Sequence, residues 1–430
     1  MARAKKEEKN ETIGNDKVQD IQNMIDPYDQ GIISGNPRYV IVNALVETTG
    51  QVRFGDGTEV NLTITEKDLI PTSDGKFVEK VVFSGSKRRG VDRRTIHTLR
   101  NQILQNQGND NLFEKCYIPE LCRECPTCWL LGATAMGEGY NIKSRILYGS
   151  AYSIEPSDIA IQPHSRNMVN EQTQTTAGEA GIHTEEFIKG GVHFPTITTL
   201  ERVVDWEIGA FAHAFLENIN QNKYTAASRS QGGVKFTDAD WGATIIVDES
   251  PIGMFLLPTP KIGAEKITFK DALEIYKAAT DLDEIKRNFE KQGFTVEYEK
   301  KDGKDDELIL LIKQENFILF RVQQANSIIN VFQCISKEKK DDAGDVVKDI
   351  EGELVIENEY KFLQARFYGN RALGYLREKQ LSWKTFLETF DQTRWETTKT
   401  QILKKIGVLS GVKEAPKESP EESIEEEQSE

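Results

Sequence analysis

Alternation of polar and apolar positions predicts strands before anything else in this 430-residue chain. Residues 38–48, RYVIVNALVET, are rich in β-branched and apolar side chains, and 59–66, EVNLTITE, alternate as a half-buried strand does. TSDG at 72–75 is a turn signal before a further strand, FVEKVVF at 77–83. The period then changes. Ile96, Leu99, Ile103 and Leu104 recur at helical spacing, which predicts a helix over 92–107 with its apolar face on the sheet. EIGAFAHAFLENI at 207–219 reads as a second helix, with Ile208, Phe211, Ala212, Phe215, Leu216 and Ile219 on one side and His213 in or beside that packing. Residues 240–260 contain a strand ending in turns, 268–292 are amphipathic and helical, and 295–300, 307–313 and 317–335 read as strands, with Cys334 an ordinary buried cysteine. Residues 359–390 and 383–407 read as helices. In them Trp383, Phe386, Phe390 and Trp395 are packing residues first and nucleobase platforms second.

Both ends look weakly ordered. Residues 1–20 are mostly polar and charged, and 411–430 hold eight glutamates against two lysines, with almost nothing to bury. Lys337–Lys348, KEKKDDAGDVVK, reads as an exposed loop. No apolar run reaches the ~18 residues a membrane span needs, and no secretion signal is visible, so a soluble cytoplasmic protein is expected. The length allows two or three domains, or one mixed α/β (α+β) core with large insertions. The net charge of -15 argues against nucleic acid when taken alone, but part of it sits in the acidic tail.

Four of the five cysteines fall in one stretch as C-x5-C-x2-C-x2-C: Cys116, Cys122, Cys125 and Cys128. Four thiolates match the tetrahedral preference of zinc, and four protein ligands leave no open position, which makes a structural rather than a catalytic ion. Consecutive C-x2-C steps also occur in iron–sulfur ligation, but that reading needs a further spaced cysteine, and Cys334 is far away. Zinc held by three cysteines and one histidine remains an alternative, as do cysteines that bind nothing. His97 and His164 read as distant reserve ligands.

The strongest basic patch is GSKRRGVDRRTIHTLR at 85–100. It sets Lys87, Arg88, Arg89, Arg93, Arg94 and Arg100 against Asp92 alone, a local charge of +5. A loop entering a helix here would offer a phosphate both arginines and free backbone N–H groups, while Asp92 pairs with the arginines or begins the helix. A solvated charge run is the bland alternative. No Gly-Lys-Ser/Thr loop is present, so ATP and GTP are not inferred. Residues 163–191 are polar and flanked by apolar stretches, as in a long protruding hairpin, with Arg166 and Lys189 its only basic charges. AASRSQGGVKF at 226–236 combines Arg229, Gly232, Gly233 and Lys235. That combination fits phosphate contact and equally fits an ordinary tight turn.

The order of these pieces resembles the repeated backbone subunit of type I-D CRISPR interference complexes, in the repeat-associated superfamily. The resemblance rests on Gly85–Arg100, on the cysteine insertion continuing into CPTCWLLGATAMG at 125–137, on GIHTEEFIKGGVHFP at 181–195, and on Arg229–Lys235. It implies an RRM-like (ferredoxin-like) palm with an antiparallel sheet, a zinc-containing insertion, a helical region and a protruding thumb hairpin. The chain would then divide into a flexible N-terminus (1–25) and a palm at 26–109, 146–162 and 192–335, the last part with helical insertions. The zinc insertion takes 110–145 and the thumb 163–191. A charged loop (336–350), a helical C-terminal part (351–408) and a disordered acidic tail (409–430) follow. Implied partners are guide RNA, target DNA and possibly target RNA paired to it, further copies of the chain in a head-to-tail filament, and other effector subunits. No membrane is involved. The implied guide contacts are Lys87, Arg88, Arg89, Arg93, Arg94 and Arg100 in the palm, Arg166 and Lys189 in the thumb, and Arg229, Gly232, Gly233 and Lys235. Some relatives cut RNA with a loop aspartate. Asp26, Asp29 and Asp56 are candidates here, but none has paired-carboxylate spacing, and no catalytic residue is assigned.

Overall fold

The computed structural model describes residues 38–54, 65–72, 74–109, 112–113, 116–134, 140–167, 169–170, 172–173, 175–176, 182–225, 230–237, 244–250, 253, 255, 281–291, 293–300, 308–314, 317–324, 327–338 and 356–405. In chain order the first elements are β1 (Arg38–Thr48), β2 (Lys67–Pro71), β3 (Phe77–Phe83), α1 (Gly85–Asn106), α2 (Pro126–Leu131), β4 (Ile146–Tyr148), β5 (Ala151–Pro156) and α3 (Ser157–Ala160). Next come β6 (Ile161–Asn167), β7 (Val169–Asn170), β8 (Thr175–Thr176), β9 (Ile182–Ile188), β10 (His193–Val203), α4 (Asp205–Asn220), β11 (Val234–Phe236) and β12 (Ile245–Ser250). The last are α5 (Leu282–Lys291), β13 (Thr295–Lys300), β14 (Leu308–Gln314), β15 (Phe317–Gln324), β16 (Ser327–Glu338), β17 (Ile356–Tyr368), α6 (Asn370–Glu388) and α7 (Gln392–Lys405).

Among the described residues the largest sheet has ten strands, in the order β13-β14-β15-β16-β17-β12-β1-β10-β4, with β11 paired to the end of β1. Its neighbours are antiparallel. Within it, β1, α1, β4, β10, α4 and β12 follow a β-α-β-β-α-β path. Their four strands lie side by side as fourth, first, third, second. Alternation explains β10, where Phe194, Thr196, Thr198 and Leu200 are buried and their neighbours less so. The more continuous burial of β1 follows from its central place, with β10 on one edge and β12 and β11 on the other. A smaller sheet, β2-β3-β5, and the β6–β9 hairpin stand beside it.

Helices α1 and α4 are joined through the Thr95 hydroxyl, which donates to Asn218 Oδ1 at 2.6 Å. Phe54 stacks on Phe83 at 4.3 Å, and both meet Phe194 edge-on. A second aromatic cluster binds the C-terminal helices to α4. Trp206 stacks on Phe386 at 4.2 Å and on Trp383 at 5.7 Å, with Trp395 edge-on. Truncating a ring this well buried costs about 3–5 kcal/mol. Trp383, Phe386 and Trp395 are thus buried inside the core, and Phe390 packs partly buried against it.

Several elements depart from the sequence reading. Helix α1 begins at Gly85, not at 92, so the expected basic loop is helical. Residues 359–368 belong to β17, a strand paired on both edges, to β12 and to β16; ladder hydrogen bonds on two sides outweigh their helix-compatible composition. Of the part at 351–408, the described residues 356–405 are therefore strand and then helix. The 317–335 segment is two strands, β15 and β16, and the final helical region breaks at Thr389–Asp391. Residues 1–25, most of 59–66, 268–280, 339–350 and 409–430 lie outside the described residues, as does the Cys334 side chain.

Candidate nucleic-acid interface and metal centre

Cys116, Cys122, Cys125 and Cys128 meet with all four sulfurs within 4.8 Å of one another. Individual Sγ separations are 3.4 Å for Cys116–Cys128, 3.6 Å for Cys116–Cys125 and 4.0 Å for Cys122–Cys128. A tetrahedral ion with metal–sulfur bonds of about 2.3 Å sets sulfur edges of about 3.8 Å, so the four fit one ion. The backbone is built to hold thiolates. The N–H groups of Glu124 and Cys125 point at Cys122 Sγ, at 3.4 and 3.3 Å, around a turn in which Arg123 has φ 59°. The crowded thiols share protons. Cys116 is pulled down to about 5, first by its hydrogen bond with Cys122, and Cys128 is pushed up, first by Cys116. Four cysteine sulfurs this close form a cluster able to coordinate one metal ion. His97 is not distant: its Nε2 lies 4.0 Å from Cys116 Sγ. His164 faces elsewhere, 2.7 Å from the Gln51 amide nitrogen.

The insertion is fastened to the core on two sides. Arg145 grips Glu207 bidentately while donating to the Trp129 and Arg202 carbonyls, and Glu207 also accepts the Val204 N–H at 3.1 Å. The Trp395 indole donates to the Glu124 carbonyl at 2.8 Å.

Helix α1 divides the basic patch in two. Arg88, Arg93 and Arg100 are buried, which corrects their expected place on a phosphate-facing surface. Arg88 donates to the Gly149 carbonyl and lies over the Phe83 and Tyr148 rings. Arg93 donates to the Gly132 carbonyl, and its Nη1 lies 3.9 Å from Cys128 Sγ. Arg100 donates to Thr127, Asn101 and the Phe113 carbonyl. The helix start is also closed. A Cβ at Gly85 would stand 2.2 Å from the Tyr148 carbonyl oxygen, and the Gly85 N–H donates to Ser150 at 3.3 Å. Only glycine lets the helix end come this near. Arg89 and Arg94 are exposed, and half-buried Lys87 reaches Glu66 at 3.4 Å. Arg89 lines a pocket of about 350 Å³ between α1 and the cysteine insertion.

Asp92 neither caps the helix nor sits in a surface ion pair. It is fully buried and accepts from Tyr224 at 2.6 Å and from Tyr148 and Asn218 at 2.7 Å each. Burial raises its carboxyl to about 6, against the lowering effect of those three donors and the Arg88 charge.

A second group gathers at the end of β1. Lys235 pairs with Glu47 at 3.0 Å, and the Lys189 carbonyl accepts from the Thr48 hydroxyl at 2.6 Å. Gly233 N–H donates to the Thr49 hydroxyl at 2.9 Å. A Cβ at Gly232 would fall 2.6 Å from the Gly50 nitrogen, and one at Gly233 would overlap Asn222. The diglycine therefore serves close packing between loops. The Lys189 ammonium donates to the Ile159 carbonyl at 2.8 Å. Arg166 lies on β6 opposite His183, with its side chain outside the described residues, and Arg229, Asp26, Asp29 and Asp56 lie outside them entirely.

Residues 38–237 match the Csc2 family model, described as Csc2 Crispr. This segment is Csc2-like. It spans just under half of the chain and contains α1, the four cysteines and the β6–β9 hairpin; β12 and everything beyond it lie outside the Csc2 match. A chain of a solved "Type IV-B CRISPR Complex" is 15% identical, with a TM-score of 0.34 over 46% of this chain and 89% of that one. The crystal structure of Thermofilum pendens Csc2 is 17% identical, with a TM-score of 0.32 over 60% of this chain and 79% of that one. Superpositions this loose add nothing to the family match. No curated protein matches. No described helix is long and apolar enough to cross a membrane.

Sequence reasoning missed the burial of Arg88, Arg93 and Arg100, the Asp92 network, and the approach of His97 to the cysteines. A signal existed. Continuing the apolar stripe of Ile96 and Leu104 backwards at helical spacing places 85, 88, 92 and 93 on the inner face.

Proposed function

We propose that this chain is a guide-RNA-binding backbone subunit of a type I-D CRISPR effector complex, stacking head to tail along the guide and displaying it for pairing with target DNA or RNA. The Csc2 family match over 38–237 carries this reading. The fourth-first-third-second strand order on a β-α-β-β-α-β path supports an RRM-like, ferredoxin-like palm, and the pairing of β6 with β9 supports reading 163–191 as the thumb hairpin. The guide contact on α1 is its outer face, Arg89 and Arg94 with Lys87, where phosphates gain charge without base specificity. Lys189 and Lys235, at the far end of β1, with Arg166 and Arg229, form the second contact. Sequence specificity comes from pairing by the guide. The ion held by the four cysteines is zinc in a structural role, and the protein works in the cytoplasm as a scaffold, with other effector subunits as its partners.

Nucleic acid extracted from the protein purified with its native partners tests this. A discrete guide-length RNA is expected; retained assembly without RNA would favour a zinc-stabilised protein-interaction module. Elemental analysis should find one zinc per chain, and iron with a charge-transfer absorption would overturn that. Shortening Gln172–Gly181 should largely spare RNA affinity while disturbing subunit spacing. Incubating the guide-loaded assembly with complementary RNA and DNA, with and without magnesium, tests the scaffold role. Regularly spaced products that vanish with one aspartate substitution would make it a nuclease.

A further inference from the structure

We infer that the buried face of α1 is the outer coordination shell of the metal centre, with Arg93 and Arg100 supplying the counter-charge of the four thiolates and His97 orienting one of them. The inference rests on the metal reading above. Residues 93, 97 and 100 follow one another at helical spacing, so one face of one helix presents all three to the cysteine insertion. Arg93 Nη1 lies 3.9 Å from Cys128 Sγ, and His97 Nε2 lies 4.0 Å from Cys116 Sγ. Arg100 is fully buried, donates to Thr127 one residue before Cys128, and its charge acts on Cys125.

The charge balance makes the case. A buried guanidinium without an anion is costly. Arg145 has Glu207 and Arg366 has Asp248, but among the described residues neither Arg93 nor Arg100 has a carboxylate partner. Among the described residues, the anions within their reach are the cysteine sulfurs. Four thiolates around one divalent cation leave two net negative charges, which two guanidinium groups neutralise. The arrangement also explains why so basic a segment lies partly inside the protein: Arg93 and Arg100 answer the sulfurs, Arg88 answers Asp92 and its neighbouring rings, and the outer cations face solvent.

The test uses full-length protein loaded with zinc, and in parallel with cobalt(II), in the variants Arg93→Gln, Arg100→Gln, Arg93→Lys, Arg100→Lys and the outer-face control Arg89→Gln/Arg94→Gln. Metal transfer to a chromophoric chelator is followed, together with the cobalt–thiolate charge-transfer band. Loss of an outer-shell partner weakens metal binding by about 10- to 100-fold. Both glutamine variants should fall in that range, and their cobalt bands should move to lower energy as the thiolates become more electron-rich. The lysine variants should recover most of the affinity, and they keep the test decisive if a glutamine variant does not fold. The outer-face control should match wild type. Wild-type protein that binds one metal while all inner-face variants keep its affinity and spectrum would overturn the inference and leave the metal centre standing. Wild-type protein that binds no metal would overturn both.

Discussion

The two faces of helix α1 carry the same residue types and do different work. The inner face holds Arg88, Arg93 and Arg100, each buried and committed to carbonyls, rings or the neighbourhood of the sulfurs. The outer face holds Arg89 and Arg94, exposed and without carboxylate partners among the described residues, with Lys87 beside them. A cluster of arginines in sequence is therefore not one binding site. Helical geometry divides it into cations that hold the fold and cations that remain available to a polyanion.

The inner face is most sensitive at the cysteine cluster. Cys125→Ser should abolish stoichiometric zinc and destabilise the protein by about 4–5 kcal/mol or more, because a unit this small has little core of its own. Hydrogen exchange should rise across 116–134 while β1 and β10 stay protected; protection unchanged across the insertion would contradict a metal-built region. Next in size is Glu207→Gln, which leaves Arg145 buried opposite a neutral amide. The expected loss is about 3–5 kcal/mol in denaturant melts, and a loss below 1 kcal/mol would show that the pair does not fasten the insertion.

Asp92 sharpens the account of the inner face through pH. Arg88 on its own helix, Tyr148 on β4, and Asn218 and Tyr224 on and just after α4 surround it. Its folded-state value of about 6 lies above the ordinary 3.8, so the folded protein binds this proton more tightly than the unfolded chain. Stability from this residue is thus complete below about pH 4 and is lost as pH rises through 6, by at most about 3 kcal/mol. The stability difference between wild type and Asp92→Asn should therefore shift in favour of the variant between pH 4 and 7. A flat difference would show that the three donors already accommodate the charge.

How much of this was legible in the sequence follows from what each signal depends on. The cysteine cluster was readable because ligand spacing is local, β1 and β3 because runs of β-branched and apolar side chains and a turn signal mark them, and α4 because one helical period runs through it. The inner arginines were not, because side-chain type alone does not say which face a residue takes. The α1 stripe predicted only from 92 onward had to be continued back to Gly85 to show it. Strand β17 escaped because its state is set by two partners distant in sequence. The Gly232–Gly233 pair stayed open between a phosphate loop and a tight turn because what it makes room for, the Gly50 backbone at Gly232 and the Asn222 side chain at Gly233, is set by folding and not by the local sequence.

The outer face is where the smallest effect on folding should accompany a large effect on binding. Arg89→Glu/Arg94→Glu should change stability by no more than about 0.5 kcal/mol and leave the zinc content at one per chain. Titrating this variant and wild type with single-stranded guide RNA across a salt series is the most direct test of guide binding by α1. The variant should bind more weakly at low salt, with a salt dependence shallower by about 0.7 per lost phosphate contact, nearly the same for unrelated RNA sequences. Unchanged affinity with unchanged slope, in a folded and zinc-loaded variant, would contradict it.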